Sequence, residues 1–373
     1  MKAMPQLRVP RVGFSAAVRQ ATGPKHVPAG RGTLGAHRVL GALAAAAMAL
    51  ALWELAPAAA DGRGASDANA DANAGGGGRA APREKVRILL ISGGAGREFQ
   101  YLRNCLLRQE DEYLLSTWQQ NADPNVNQSS SSPGMRPTAM PRTAEALVGV
   151  PGDANLPGYQ VVILYDPQHV EGSFDKVFVE DALKPFVERH GGGLCYIAGR
   201  KYTETVLMLR PDLAPLRDML PVKVMPNTLP LSTSRPAGDP PVAWPLKLIA
   251  EANDHSITML GRTREESNSI WGVLPGVYWS QAVLEVKKGA SVLAVFPDPA
   301  ARLANSTEPL PVLAVRPWGR GKVLYVGCDE TWRWVSVQEG ACHRAFWGNV
   351  IRHLAEATPP RTENEGAPRP PGP

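Results

Sequence analysis

The chain has 373 residues and a formal net charge of +5, long enough for one large domain or two. The charge excess sits in the leader: residues 1–84 carry ten Lys/Arg and five Asp/Glu, residues 358–373 carry two of each, and the 85–357 body holds 28 of each sign. A neutral body lacks the electrostatic footprint of a nucleic-acid binder, and four cysteines are too few for a disulfide-dense domain.

Seven Lys/Arg and no acid precede position 39. The run VLGALAAAAMALALW (Val39–Trp53) follows, Glu54 interrupts it, and Ala56-Pro57-Ala58-Ala59-Ala60-Asp61 offers small residues to a signal peptidase. A basic flank, an apolar core and an A-x-A site describe a secretory signal. The run is shorter than the roughly 20 residues of a spanning helix. Residues 1–60 therefore read as a cleaved signal or, alternatively, a retained membrane anchor. Both place the body outside the cytoplasm, because the positive flank stays inside. The expected location is periplasmic or secreted, or anchored to the membrane by residues 39–60. Residues 61–84 are Gly, Ala, Asp and Asn with little to bury, which suits a flexible linker. Residues 358–373 are Pro-rich and polar and read as a disordered tail. No solenoid-length repeat is visible.

In the body, Val86–Ile91 predicts a buried strand, Ser92–Gly96 a tight turn, and Phe99, Leu102 and Leu106 a helix by their spacing. Tyr113–Trp118 predicts a second strand, 121–157 a long polar loop, and Tyr159–Tyr165 a third strand. Phe174–His190 predicts a helix, kinked at Pro185 and closed by Gly191–Gly193, before a strand at Leu194–Ile197. Such alternation implies a parallel sheet covered on both faces. The later half changes character. Val283–Val286 with Ser291–Phe296 reads as one hairpin around Lys287–Ala290, and Pro311–Arg316 with Lys322–Gly327 as another around Trp318–Gly321. A final helix is expected over Ala341–Glu356. The fold class is therefore α/β: a mostly parallel sheet with helices on both faces and added antiparallel hairpins in the C-terminal half.

VRILLISGG, REFQYLRN, YQVVILYD, FVERHGGGLCYIAG, HSITML, PVLAVRPWGRGKVLYVG and DETWRW, in that order, resemble the class I glutamine amidotransferase-like domain. The nearest resemblance is to the variant attached to von Willebrand factor A modules in bacterial membrane proteins. It covers nearly all of 85–357 and implies a flavodoxin-like sheet, without by itself implying catalysis. Active members of the family use a cysteine on a strained strand-to-helix elbow, with a histidine and a glutamate from a later strand. Matching the glycine-closed helix and strand puts Ala198 at the nucleophile position. Matching the final strand puts Cys328 where the histidine belongs, while Glu330 retains the acid. Cys195 lies three residues before the elbow, inside the strand, where apolar surroundings raise a thiol pKa and leave it inert.

Other chemistry is sparse. Gly93, Gly94 and Gly96 match a phosphate loop only weakly and lack its lysine, so a tight turn is the better reading. There is no H-E-x-x-H, C-x-x-C or G-x-S-x-G, so no metal, cofactor or serine-hydrolase site is expected. His255, at the start of HSITML, resembles a family feature near the site, although a residue that caps or packs a loop is the preferred reading. Cys105 and Cys195 form no framework with the other thiols, although an oxidising compartment would permit a Cys328–Cys342 bridge.

The resemblance and the degenerate positions favour a catalytically inactive module used for ligand binding or assembly. The alternatives are a cysteine-dependent amidase or hydrolase with a non-standard nucleophile, and a carbohydrate-related module. Expected partners are membrane-associated proteins or a small polar ligand, and no nucleic acid. The working surface is expected where the strands end, gathering Glu98, Arg200, Asp329, Glu330, Trp332, Arg333 and Trp334 on one rim.

Overall fold

A computed structural model of the protein describes residues 84–356 apart from 124–127, 150–157, 227–241, 300 and 305. The leader, the linker up to Arg83 and the tail fall outside the described residues. The chain divides between Gly78 and Arg79, and every described residue belongs to the second unit.

In chain order, β1 (Val86–Ser92) leads into helix α1 (Arg97–Leu107) and β2 (Tyr113–Gln119). The short β3 (Ser129–Ser130) and α2 (Ala144–Val148) precede β4 (Val161–Tyr165). A π-helix (Phe178–Leu183) continues into α3 (Lys184–Glu188), then β5 (Gly193–Ile197), α4 (Ala214–Met219), β6 (Val222–Val224), β7 (Lys247–Leu248) and α5 (Arg264–Val273). The chain closes with β8 (Val283–Val286), β9 (Ser291–Phe296), β10 (Leu310–Trp318), β11 (Gly321–Val326) and α6 (Ala341–Ala355).

Nine of these strands form one sheet in the order β3-β2-β1-β4-β5-β11-β10-β9-β7. The five consecutive strands β2-β1-β4-β5-β11 are parallel, with Ile88 opposite both Leu115 and Val161, and Cys195 between Ile163 and Leu324. Counted among themselves, they run 2-1-3-4-5, the doubly wound order of flavodoxin-like sheets. The near-unbroken Val/Ile/Leu runs of β1 and β4 follow from burial on both faces, whereas β2 buries Ser116 and Thr117, whose hydroxyls donate to Met135 O and Ser129 O. Ile88, Leu90, Ile163, Leu194 and Val326 have no exposed surface. Helices α1 and α6 cover one face. The π-helix, α2 and α3 pack together over the other.

The helix expected over Phe174–His190 is present but not uniformly α-helical. Pro185 has no amide to donate and its ring crowds the preceding turn, and that turn is widened to π geometry, with Lys184 N–H bonding to Val179 O. It ends at Gly191, whose φ of 74° a side chain would resist.

Two expectations are corrected. The polar stretch 121–157 is not a bare loop: it contributes β3, a 3-10 turn at Pro133–Met135 and α2, whose Thr143 side chain caps Ala146 N–H. The first of the two hairpins is not one. The turn around Gly289 (φ 79°) exists, but β8 leaves the main sheet and pairs with β6 in a separate two-stranded ribbon, while β9 pairs with β10 and β7. The second hairpin, β10–β11, is formed, with Trp318 opposite Gly321.

Candidate functional site

The C-terminal ends of β1, β4, β5 and β11 meet in one rim. Gly93 N–H bonds to Tyr165 O at 3.1 Å, Asp166 N–H to Ile197 O at 2.9 Å, and Ala198 N–H to Val326 O at 2.8 Å. The segments Gly93–Glu98, Ala198–Arg200 and Asp329–Trp334 are thereby brought together, as ladder bonding carries each strand end onto its neighbour.

Ala198 is fully buried at the end of β5. It is absent from the non-glycine residues with positive φ, so the strained elbow that lifts a nucleophile clear of a sheet is not built here. Cys328 is also fully buried, and burial pushes its thiol well above the ordinary range. Cys195 lies inside β5 with no exposed surface and a thiol raised by burial, as an inert core residue requires. All four cysteines are free and buried, so Cys328 and Cys342 are not bridged.

Around these positions four carboxyl groups cluster, and each is supplied with donors. Asp329 accepts from Trp279 Nε1 at 2.8 Å and from the Tyr165 hydroxyl at 3.2 Å. Glu330 accepts from the Tyr278 amide at 2.5 Å and from Arg200 at 3.3 Å. Glu98 accepts from the Thr331 hydroxyl and from the Trp332 amide at 3.1 Å. Asp166, at an uncommon φ of 38°, accepts from the amides of Lys201, Tyr202 and Thr203 and from the Thr203 hydroxyl. Burial is the largest influence on all four and outweighs these bonds, raising each carboxyl above its usual range and Glu98 to about 8.

The cluster closes the rim rather than opening it. At the switch point between β1 and β4, where doubly wound folds bind ligands, the Tyr165 hydroxyl rests on Gly96 and a Cβ there would collide with it. Two cavities, of about 250 and 260 Å³, lie elsewhere: one under Met135–Arg142 beside Trp118, the other between Leu207, Val222 and Lys287. The outward-facing part of the rim is cationic and aromatic. Arg200 lies over the Trp279 ring at 4.9 Å, Arg333 over Tyr278 at 4.6 Å, and Arg97 over Trp332 at 4.8 Å.

Two sequence expectations change place. Trp334 is not a rim residue: it is 1% exposed, donates its indole N–H to Pro275 O and packs edge-on to Trp271 and Phe346. Glu98, also expected on the rim, is 1% exposed, and its carboxyl ties α1 to the turn after β11. His255 sits away from the rim, accepting from Ile257 N–H beside His353, whose carbonyl binds Lys322 at the other end of β11. Asp166, Tyr165, Tyr278 and Trp279 escaped the sequence reading; only the polar step from YQVVILY to Asp166 at a strand end hints at one of them. Among the described residues, no three His, Cys, Asp or Glu side chains are grouped to hold a metal, and no helix is long and apolar enough to cross a membrane.

No family model and no curated protein matches the chain. Among solved structures it is similar to the cytoplasmic protein STM3548 from Salmonella typhimurium, at 14% identity and a TM-score of 0.41 over 72% of this chain and 99% of that one. It is also similar to the cytoplasmic protein STM1381 from Salmonella typhimurium LT2, at 17% identity and a TM-score of 0.38 over 72% and 99%. A third is the exo-beta-1,4-mannosidase Op5Man5 from Opitutaceae bacterium strain TAV5, at 11% identity and a TM-score of 0.34 over 72% of this chain and 36% of that one.

Proposed function

We propose that residues 85–357 are a catalytically inactive glutamine amidotransferase-like module, working outside the cytoplasmic membrane to bind a ligand or assemble proteins. The observation that carries this reading is Ala198: a fully buried methyl group stands where the resemblance requires a nucleophile. Removing such a nucleophile costs on the order of a millionfold in rate. Cys328, buried and holding its proton, cannot replace the missing imidazole base. With its carboxyl groups already bonded, the rim has side chains for recognition in Arg97, Arg200, Trp332 and Arg333.

The test is ammonia release from glutamine by the purified protein, expected to stay at the no-enzyme background. Turnover that Cys195→Ala abolishes while the fold survives would overturn the inactive reading. The location rests on the basic leader and the apolar run of 39–53. A fusion of residues 1–84 to a reporter active only outside the cytoplasm is expected to be active; a silent reporter removes the extracytoplasmic assignment.

A further inference from the structure

Two arginines share one tryptophan on the rim. Arg97, at the start of α1, places its guanidinium 4.8 Å from the centre of the Trp332 ring, and Arg333 places its own 5.5 Å away. Tyr101 stacks against the same indole at 5.8 Å and 29°. Arg333 donates from Nε to Gly276 O at 2.9 Å and lies over the Tyr278 ring at 4.6 Å, which holds its half-exposed guanidinium in place without hydrogen-bonding its terminal nitrogens. Neither guanidinium has a carboxylate within ion-pair distance among the described residues. The nearby Glu330 is engaged by Arg200 and the Tyr278 amide.

Holding two like charges over one ring is unfavourable in itself, and a cation–π contact at an exposed site returns only a weak attraction. No carboxylate pairs directly with either guanidinium, although Glu330 lies near enough to Arg333 to feel its charge. A guanidinium fork matches a carboxylate in bidentate geometry, and Trp, Tyr and Arg are the commonest anchors of protein interfaces. The patch is a ridge and not a cavity: Tyr101 is 39% exposed, Arg97 is exposed, and both cavities lie elsewhere. A ridge suits a chain laid across it better than an enclosed small molecule.

We propose that Arg97, Trp332 and Arg333 dock an acidic segment of a partner protein, with its carboxylates on the two guanidinium forks and its backbone across Trp332 and Tyr101. This rests on the reading that the rim binds rather than reacts. The probe is a fluorescently labelled Glu-Gly repeat peptide titrated by anisotropy against the full chain. Saturable binding that weakens with added salt is expected, as charge screening requires. Arg97→Glu is expected to weaken it about tenfold or more, and Arg333→Gln likewise, on the scale set by loss of a charge-assisted contact. Arg333→Lys, which keeps the charge and loses the fork, is expected to fall between. Lys288→Glu, in the exposed turn between β8 and β9, is expected to bind as the unmodified protein does. The melting temperature of each variant checks the fold, and Arg97→Glu changes only an exposed residue. Absence of binding, or equal binding by Arg97→Glu, overturns the proposal. Inorganic phosphate competing as well as the peptide also overturns it, in favour of a small-anion site. Glutamine turnover is measured separately, so failure of the inactive-module reading appears there and not in the titration.

Discussion

Glu98, in the first turn of α1, accepts a hydrogen bond from the amide of Trp332, 234 residues later in the chain. The same carboxyl takes the Thr331 hydroxyl, which in turn receives the Trp347 indole N–H at 3.1 Å, so one acid joins α1, the turn after β11 and α6. With 1% of its surface exposed, Glu98 has its pKa raised by burial from 4.5 to about 8. Its protonated form is therefore favoured by folding. The stability it contributes is present below its ordinary value and is lost as pH rises from about 4.5 to about 8. The unfolding free energy of the unmodified protein, from urea denaturation, should fall across that window relative to Glu98→Gln, by on the order of a few kcal/mol in all. Parallel pH profiles for the two proteins would disprove a buried, neutral Glu98.

Asp166 gathers three amides and a hydroxyl at the start of the segment after β5, and holds a left-handed φ of 38° to do so. Asp166→Ala leaves buried donors without partners, each costing about 1–3 kcal/mol. Urea denaturation is expected to show a loss of about 2–4 kcal/mol, with Asp166→Asn intermediate because its amide oxygen can keep part of the set. A loss under half a kcal/mol would mean that water replaces the carboxylate freely.

Trp334 and Trp332 are two residues apart and should respond oppositely. Trp334→Ala empties a core site against Trp271 and Phe346 and is expected to cost about 3–5 kcal/mol. Trp332→Phe is expected to leave the melting temperature nearly unchanged while weakening acidic-peptide binding. Equal melting losses would return Trp332 to the core.

The thiols supply a fourth check. All four are buried, and burial raises the thiol of Cys105 to about 11 and that of Cys195 further. Native protein is expected to react negligibly with a disulfide reagent at neutral pH and to yield four thiols once unfolded. Cys195→Ala should cost about 1 kcal/mol through the small cavity it leaves. A rapidly labelled thiol in the native protein would point to a reactive cysteine after all.

The sequence by itself determined the parallel half of the sheet. A strand covered on both faces must be apolar throughout, so VRILLI, YQVVILY and GLCYI announce themselves without any partner in view. It also determined the end of α3, because glycine takes the φ of 74° at position 191 without the steric cost a side chain would add. The identity of residue 198 is equally a fact of sequence, once the strand before it is recognised. Tertiary structure decided the rest. The turn Lys287–Ala290 encodes a reversal but not which strand lies alongside, and Val-rich β6 took β8 away from β9. DETWRW gives no indication of which tryptophan is buried. In the 3-10 helix Thr331–Ser336, residues two apart point about 120° apart, so Trp334 turned into the core when Trp332 turned to the rim. Asp166, Tyr278 and Trp279 follow no period at all. Parallel register delivers Asp166, Asp329 and Glu330 from the ends of distant strands to a single edge, and the loop between α5 and β8 brings Tyr278 and Trp279 onto it through hydrogen bonds to Glu330 and Asp329, a placement that no local pattern records.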